Sequence, residues 1–167
     1  MHINRIAPLA AGVLVALSGA AQAASPATNT FGVSATVAAN CIVTTSPIAF
    51  GNYDGTAQVD VSQNLSVRCT KNLPYTIRLN GGLANSFAPR KLAKGSDTLE
   101  YNLFTDGTFG TVWGDGTSGS VVPGIGAGMG IPNANPHPIF ARLLNNAANQ
   151  LAPVGTYNDT VTVEVHY

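Results

Sequence analysis

Past residue 23 this 167-residue chain holds few side chains that could do chemistry: His137, His166, a set of turn aspartates, Trp113, and the cysteines Cys41 and Cys69. His137 stands between Pro136 and Pro138, and His166 falls on the polar face of the last periodic run, so neither has a partner beside it. No GxSxG elbow and no HExxH pair supports a hydrolase. The run GIGAGMG (Gly124–Gly130) invites a phosphate-loop reading, but it lacks the Lys-Ser/Thr ending. Pro132 and Pro136 also prevent the helix whose N-terminus would hold the phosphate. Asp106 and Asp115 could bind calcium or act as paired carboxylates. Each is followed directly by Gly, which is turn chemistry, and the spaced oxygen ligands of a calcium loop are missing. Trp113 could stack on a sugar, although a lone aromatic near a turn more often packs on the core. Asn64 and Asn158 head sequons whose use depends on the host. The expectation is a non-enzyme with no catalytic residues, no metal and no cofactor.

The two cysteines read differently once the compartment is set. Arg5 opens a run that is almost wholly apolar from Ile6 to Ala20, and AQA (Ala21–Ala23) supplies the small residues of a cleavage site. Residues 1–23 are therefore expected to be a signal peptide, because Pro8, Ser18 and Gly19 interrupt a run already short for a membrane span. In a secreted chain two cysteines pair, and closing the Cys41–Cys69 loop contributes about 3 to 4 kcal/mol in the chain-entropy account. Charged residues make up only 10% of the chain, against roughly 25% in ordinary soluble domains. The remaining seven Lys and Arg nearly balance eight Asp and Glu, without a basic tract, which argues against nucleic acid and anionic lipid as partners.

The elements around these residues follow period two. YTIRLN points Tyr75, Ile77 and Leu79 one way; LEYNLF does so with Leu99, Tyr101 and Leu103; IFARLL with Ile139, Ala141 and Leu143. NLSVRCT aligns Leu65, Val67 and Cys69. DTVTVEVHY aligns Val161, Val163, Val165 and Tyr167. Turns YDGT, LNGG, TDGT and GDGT carry Gly where a positive φ is expected. Apolar residues do not recur at helical spacing outside the leader, so the pattern predicts an all-β, antiparallel Greek-key sandwich. The insert SVVPGIGAGMGIPNANPHP holds too much Gly and Pro for a strand and is expected to be a surface excursion.

One alternating run has no obvious place in that sandwich. FGVSATVAANC sets Phe31, Val33, Ala35 and Val37 on one face, while the chain stops on Tyr167 directly after its strongest strand, where an immunoglobulin-type sandwich normally continues. At this point FGVSATVAANCIV, FGNYD, LSVRCT, YTIRLNGG, LEYNLFTD, VWGDG and GTYNDTVTVEVHY together resemble the spore coat U domain family. Its members include subunits of archaic chaperone-usher pili of the Csu type.

The resemblance implies an incomplete immunoglobulin-like sandwich that lacks its last strand and is completed by donor-strand exchange. It divides the chain into residues 1–23 as leader, 24–39 as donor-strand extension and 40–167 as pilin domain. Phe31, Val33, Ala35 and Val37 become the groove-filling side chains, and the Cys41–Cys69 bridge ties the first domain strand to the second. The implied partners are a periplasmic chaperone, an outer-membrane usher, and identical or homologous subunits joined head to tail. The implied place is a cell-surface fimbrium, exported through the periplasm, that serves adhesion and biofilm formation. The rival is a self-contained secreted coat or matrix sandwich that folds its own first strand back and binds a glycan through the Trp113 region.

Overall fold

The period-two runs become strands because alternating apolar residues can bury one face of a pleated sheet and leave the other to solvent. In the computed structural model, which describes residues 25–167, eight strands form in chain order: β1 Cys41–Thr44, β2 Val59–Cys69, β3 Pro74–Leu79, β4 Arg90–Lys94, β5 Asp97–Phe104, β6 Val122–Ile125, β7 Asn135–Leu143 and β8 Val163–His166. They make a five-stranded sheet ordered β1-β2-β7-β5-β4 and a three-stranded sheet ordered β6-β3-β8. Every pairing of these strands is antiparallel. The expected leader, residues 1–23, lies outside the described residues.

The core lies between the sheets. Leu65, Val67 and Cys69 of β2, Ile139, Ala141 and Leu143 of β7, and Leu99, Tyr101 and Leu103 of β5 face Tyr75, Ile77 and Leu79 of β3. Trp113, in the loop between β5 and β6, is fully buried among them. Its Nε1 donates to the Ile77 carbonyl at 3.2 Å, which satisfies its one polar group where water is absent. On the outer face of the five-stranded sheet, Arg142 of β7 binds Asp60 of β2 through two bonds of 2.7 and 2.8 Å. This cross-strand pair holds the β2-β7 register from the solvent side.

The Gly- and Pro-rich insert departs from the expectation of a surface excursion. Its start is strand β6, paired with β3 from Val122↔Ile77 to Ile125↔Pro74, and its end is the first half of β7, paired with β2. Pro123 is tolerated because β6 is an edge strand. Pro136 and Pro138 are tolerated because β5 pairs with β7 only from Phe140 onward, which leaves that side of β7 free. Gly124 is needed for room, since a Cβ there would lie 2.3 Å from the Tyr75 ring. The turn TDGT also differs from expectation. The left-handed residue is Phe109, at φ 59°, and Gly107 is small because the Phe140 ring occupies the space beside it.

Helix is confined, among the described residues, to the single turn Ala147–Gln150 and the 3-10 turn Ile131–Asn133. The unit that carries both sheets spans Thr36–Tyr167. Residues 25–35, described by themselves, form neither strand nor helix and are exposed throughout.

Candidate functional site

The residues singled out for chemistry are dispersed into structural tasks. Asp106 caps its own turn: its carboxylate accepts from the amides of Thr108, Gly110 and Thr111 at 2.9 to 3.2 Å and from the Thr108 hydroxyl. Those donors hold its pKa down at about 2, with the Thr108 hydroxyl contributing most. Asp115 does the same for Thr117 and Ser118, whose amides lower its pKa. His166 is exposed beside Glu164 at 2.9 Å. His137 faces inward against the Tyr75 hydroxyl at 2.8 Å, where burial lowers its pKa. No cluster of three His, Cys, Asp or Glu able to hold a metal occurs among the described residues. The sugar-stacking reading of Trp113 is overturned, because a fully buried indole presents no face to a ligand.

What the fold does leave open is a cleft between the two sheets. The three-stranded sheet ends at β8, which pairs with β3 on one side only. Opposite it, the chain leaving β1 through Thr45–Phe50 is not in a strand. Between these lips lies an open cleft of about 600 Å³ whose lining includes Leu79, Tyr101, Leu103 and Ile139, core residues that stay buried at its bottom. Ile48 and Phe50 line one lip, Val161 and Val163 the other. The cleft continues past Ile48, Phe50 and Asn158 into a second open space of about 760 Å³ bordered by Tyr53, Leu99 and Val154.

The half-buried state of β8 follows directly. Val161, Val163 and Val165 share the inward face, yet each keeps part of its surface exposed, while Thr162, Glu164 and His166 alternate outward. A β-strand with one unpaired edge above a largely apolar trough presents a row of backbone donors and acceptors with no strand partner among the described residues. Such a site recognises an extended segment by main-chain bonds and takes alternate side chains into the trough.

Two polar anchors keep the trough's shape. Tyr101 Oη donates to Asp159 at 2.6 Å, and Asp159 also accepts from the amides of Leu83 and Thr160 at 2.7 Å. Burial, with Asp159 alongside, pushes the Tyr101 hydroxyl far up, so it stays a donor across the physiological range. Arg90, fully buried, donates to the carbonyls of Asn80 and Trp113 and to Asn102 Oδ1 at 2.7 to 3.0 Å. These bonds fix the end of β3, where Leu79 meets the cleft, and offset the cost of burying a cation. Neither Asp159 nor Arg90 was legible as a site residue, since Tyr101 stands 58 residues from Asp159 and Arg90 is held by Asn102 and by backbone carbonyls of separate segments.

The residues expected to fill such a trough are themselves uncovered. Phe31, Val33 and Val37 are 87%, 85% and 82% exposed, and Ala35 is exposed as well. Cys41 and Cys69 stand directly opposite in β1 and β2 and are joined by a disulfide that fastens the edge strand β1 to the sheet.

The comparisons with known proteins agree with this architecture. Residues 27–164 match the family model described as the Spore Coat Protein U domain. Protein U of Myxococcus xanthus is 33% identical over 133 residues, which covers 71% of this chain and 70% of that protein. Among solved structures, the CsuC-CsuE chaperone-tip adhesion subunit pre-assembly complex, from archaic chaperone-usher Csu pili of Acinetobacter baumannii, matches with a TM-score of 0.56 at 24% identity. That alignment covers 79% of this chain and 41% of the solved chain, so this chain spans about two fifths of its length. The likeness confirms an immunoglobulin-like all-β sandwich.

Proposed function

This chain belongs to the Spore Coat Protein U domain family, and on that premise we propose that it is a structural subunit of a chaperone-usher pilus, polymerised by donor-strand exchange. The observation that carries the proposal is the open cleft: core residues Leu79, Leu103 and Ile139 form its floor beneath the unpaired edge of β8. The extension of a second copy, residues 24–39, fills the trough with Phe31, Val33, Ala35 and Val37 while its backbone completes the sheet.

Burying those four side chains contributes roughly 4 to 8 kcal/mol from apolar area, with Ala35 the smallest share. Backbone bonds to β8 add register and satisfy the edge. Because donor and acceptor are different surfaces of one molecule, the contact is head to tail and propagates into a filament. Before assembly the same edge needs a temporary strand. A periplasmic chaperone supplies it, and an outer-membrane usher exchanges it for the next subunit's extension. The product is a non-catalytic, cell-surface fimbrium, with attachment and biofilm formation as its role.

The test is the state of the secreted full-length product. Donor exchange yields multimers that survive detergent at room temperature and fall apart into a ladder on heating. A heat-independent, monodisperse monomer would instead indicate a self-contained sandwich and end the proposal.

A further inference from the structure

We infer that the end of the domain carrying the Cys41–Cys69 bridge is a second contact surface for the copy of this chain that receives the extension, with Ile125 and Ile131 as its apolar contacts. This rests on the donor-strand reading and adds an interface that the reading does not contain.

The root of the extension is tied down. Thr70 Oγ1 donates to the Ala38 carbonyl and accepts from the Asn40 amide, both at 3.1 Å, and the Thr70 amide donates to the Asn40 carbonyl at 2.9 Å. Cys41 follows immediately and is bonded to Cys69. Ala38 to Cys41 is therefore fastened to the domain at one turn. Val37, the last of the four donor side chains, is the very next residue out, and consecutive Cα atoms are only about 3.8 Å apart. When Val37 enters a neighbour's trough no linker remains, and the surfaces flanking the root are drawn against the neighbour.

The Gly-rich loop flanks that root. It is held to the same Cys69–Leu73 turn: Gly128 donates to the Cys69 carbonyl at 3.0 Å, Asn72 to the Gly126 carbonyl and Gly126 to the Leu73 carbonyl, both at 2.8 Å. Gly126 sits so close that a Cβ would lie 2.2 Å from the Thr70 carbonyl oxygen. Arg68 Nη1 supports the loop from behind through the Met129 carbonyl at 3.1 Å. On this pinned loop Ile125 and Ile131 remain 65% and 80% exposed. Scattered exposed aliphatics are ordinary. What sets these two apart is their seat beside the root of the extension, in a stretch from Val121 to Asn135 that has no charged residue. Such a surface meets a neighbour with little polar desolvation.

The receiving copy offers a matching rim. All strand pairs in both sheets are antiparallel. A donor added to β8 in that sense points its Val37 end toward Asn158. Val154 borders the cleft there and is 99% exposed, with Leu151 at 83% close by in sequence. The occupant of the Ile125 and Ile131 surface is thus the rim of the next copy.

Hydroxyl-radical footprinting of wild-type multimers, with each residue normalised to the reactivity of its free side chain, reads both contacts at once. Protection of Phe31 and Val33 together with severalfold protection of Ile125 and Ile131 supports the inference. Protected Phe31 and Val33 beside fully reactive Ile125 and Ile131 overturns it and leaves donor exchange standing. Reactive Phe31 and Val33 remove the underlying reading and the inference with it. As a second measurement, Ile125→Ser/Ile131→Ser multimers are expected to keep their donor strands yet dissociate at a lower temperature in detergent; dissociation at the wild-type temperature counts against the surface.

Discussion

Replacing Val33 by Asp separates the fold of a subunit from its ability to polymerise. In the chain itself Val33 is 85% exposed, so the substitution falls among surface changes whose effect on domain stability is within about 0.5 kcal/mol. Under the donor-strand proposal the same side chain enters a neighbour's trough, whose lining includes Leu79, Leu103 and Ile139. Losing the valine there removes about 1.5 to 2 kcal/mol of apolar burial. Placing a carboxylate in its stead adds a desolvation cost of several kcal/mol, because the side chains of Leu79, Leu103 and Ile139 offer it no donor and the Tyr101 hydroxyl is already given to Asp159. The milder Val33→Ala removes two methyl groups, about 1.6 kcal/mol, or roughly 15-fold in the lifetime of the joint. The assay has two arms: circular dichroism of the detergent-treated monomer for the domain, and the rate at which purified multimers exchange with an excess peptide spanning residues 28–38. The expected order of exchange is wild type slowest, Val33→Ala about an order of magnitude faster, and Val33→Asp without isolable multimers. Wild-type assembly by Val33→Asp would refute the assignment of this face of the extension to the trough.

Two further outcomes test the domain. Replacing both Cys41 and Cys69 by Ala opens a loop of 28 residues' separation, worth about 3.6 kcal/mol in the chain-entropy account, so the denaturation midpoint should fall by that equivalent and reduction of the wild type should reproduce it. Asp106 should titrate near 2 when followed by carboxyl NMR. Its folded pKa lies below the unfolded one, so its contribution is complete above about pH 4 and is lost as pH falls through 2. Amide exchange at Thr108, Gly110 and Thr111 should quicken over that window, and Asp106→Asn should abolish the acid dependence.

Much of the fold was legible because period two survives any tertiary arrangement. Tyr75, Ile77 and Leu79, or Ile139, Ala141 and Leu143, bury together wherever their strands lie, since a one-residue slip would put all three in water. The insert departs from its sequence expectation for the opposite reason. Whether Pro123, Pro136 and Pro138 can lie in strands depends on which edges are free, and strand order is a property of the assembled sheets. The left-handed turn residue at Phe109, φ 59°, was hidden likewise, because its ring packs against Phe140 and Arg142 of a strand distant in sequence.

By itself the amino-acid sequence determined the class of the molecule: a charge-poor, all-β chain with alternating strands, two cysteines and an apolar alternating run ahead of them. Those features are local, written in neighbouring residues and their propensities. Only the tertiary structure decided that Leu79, Leu103 and Ile139 line an open cleft, that β8 keeps a free edge, and that Thr70 holds Ala38 and Asn40 at the same turn to which Gly126 and Gly128 are bonded. Each of these requires residues far apart in the chain to be brought within contact distance, and that proximity is set by how two sheets close on one another.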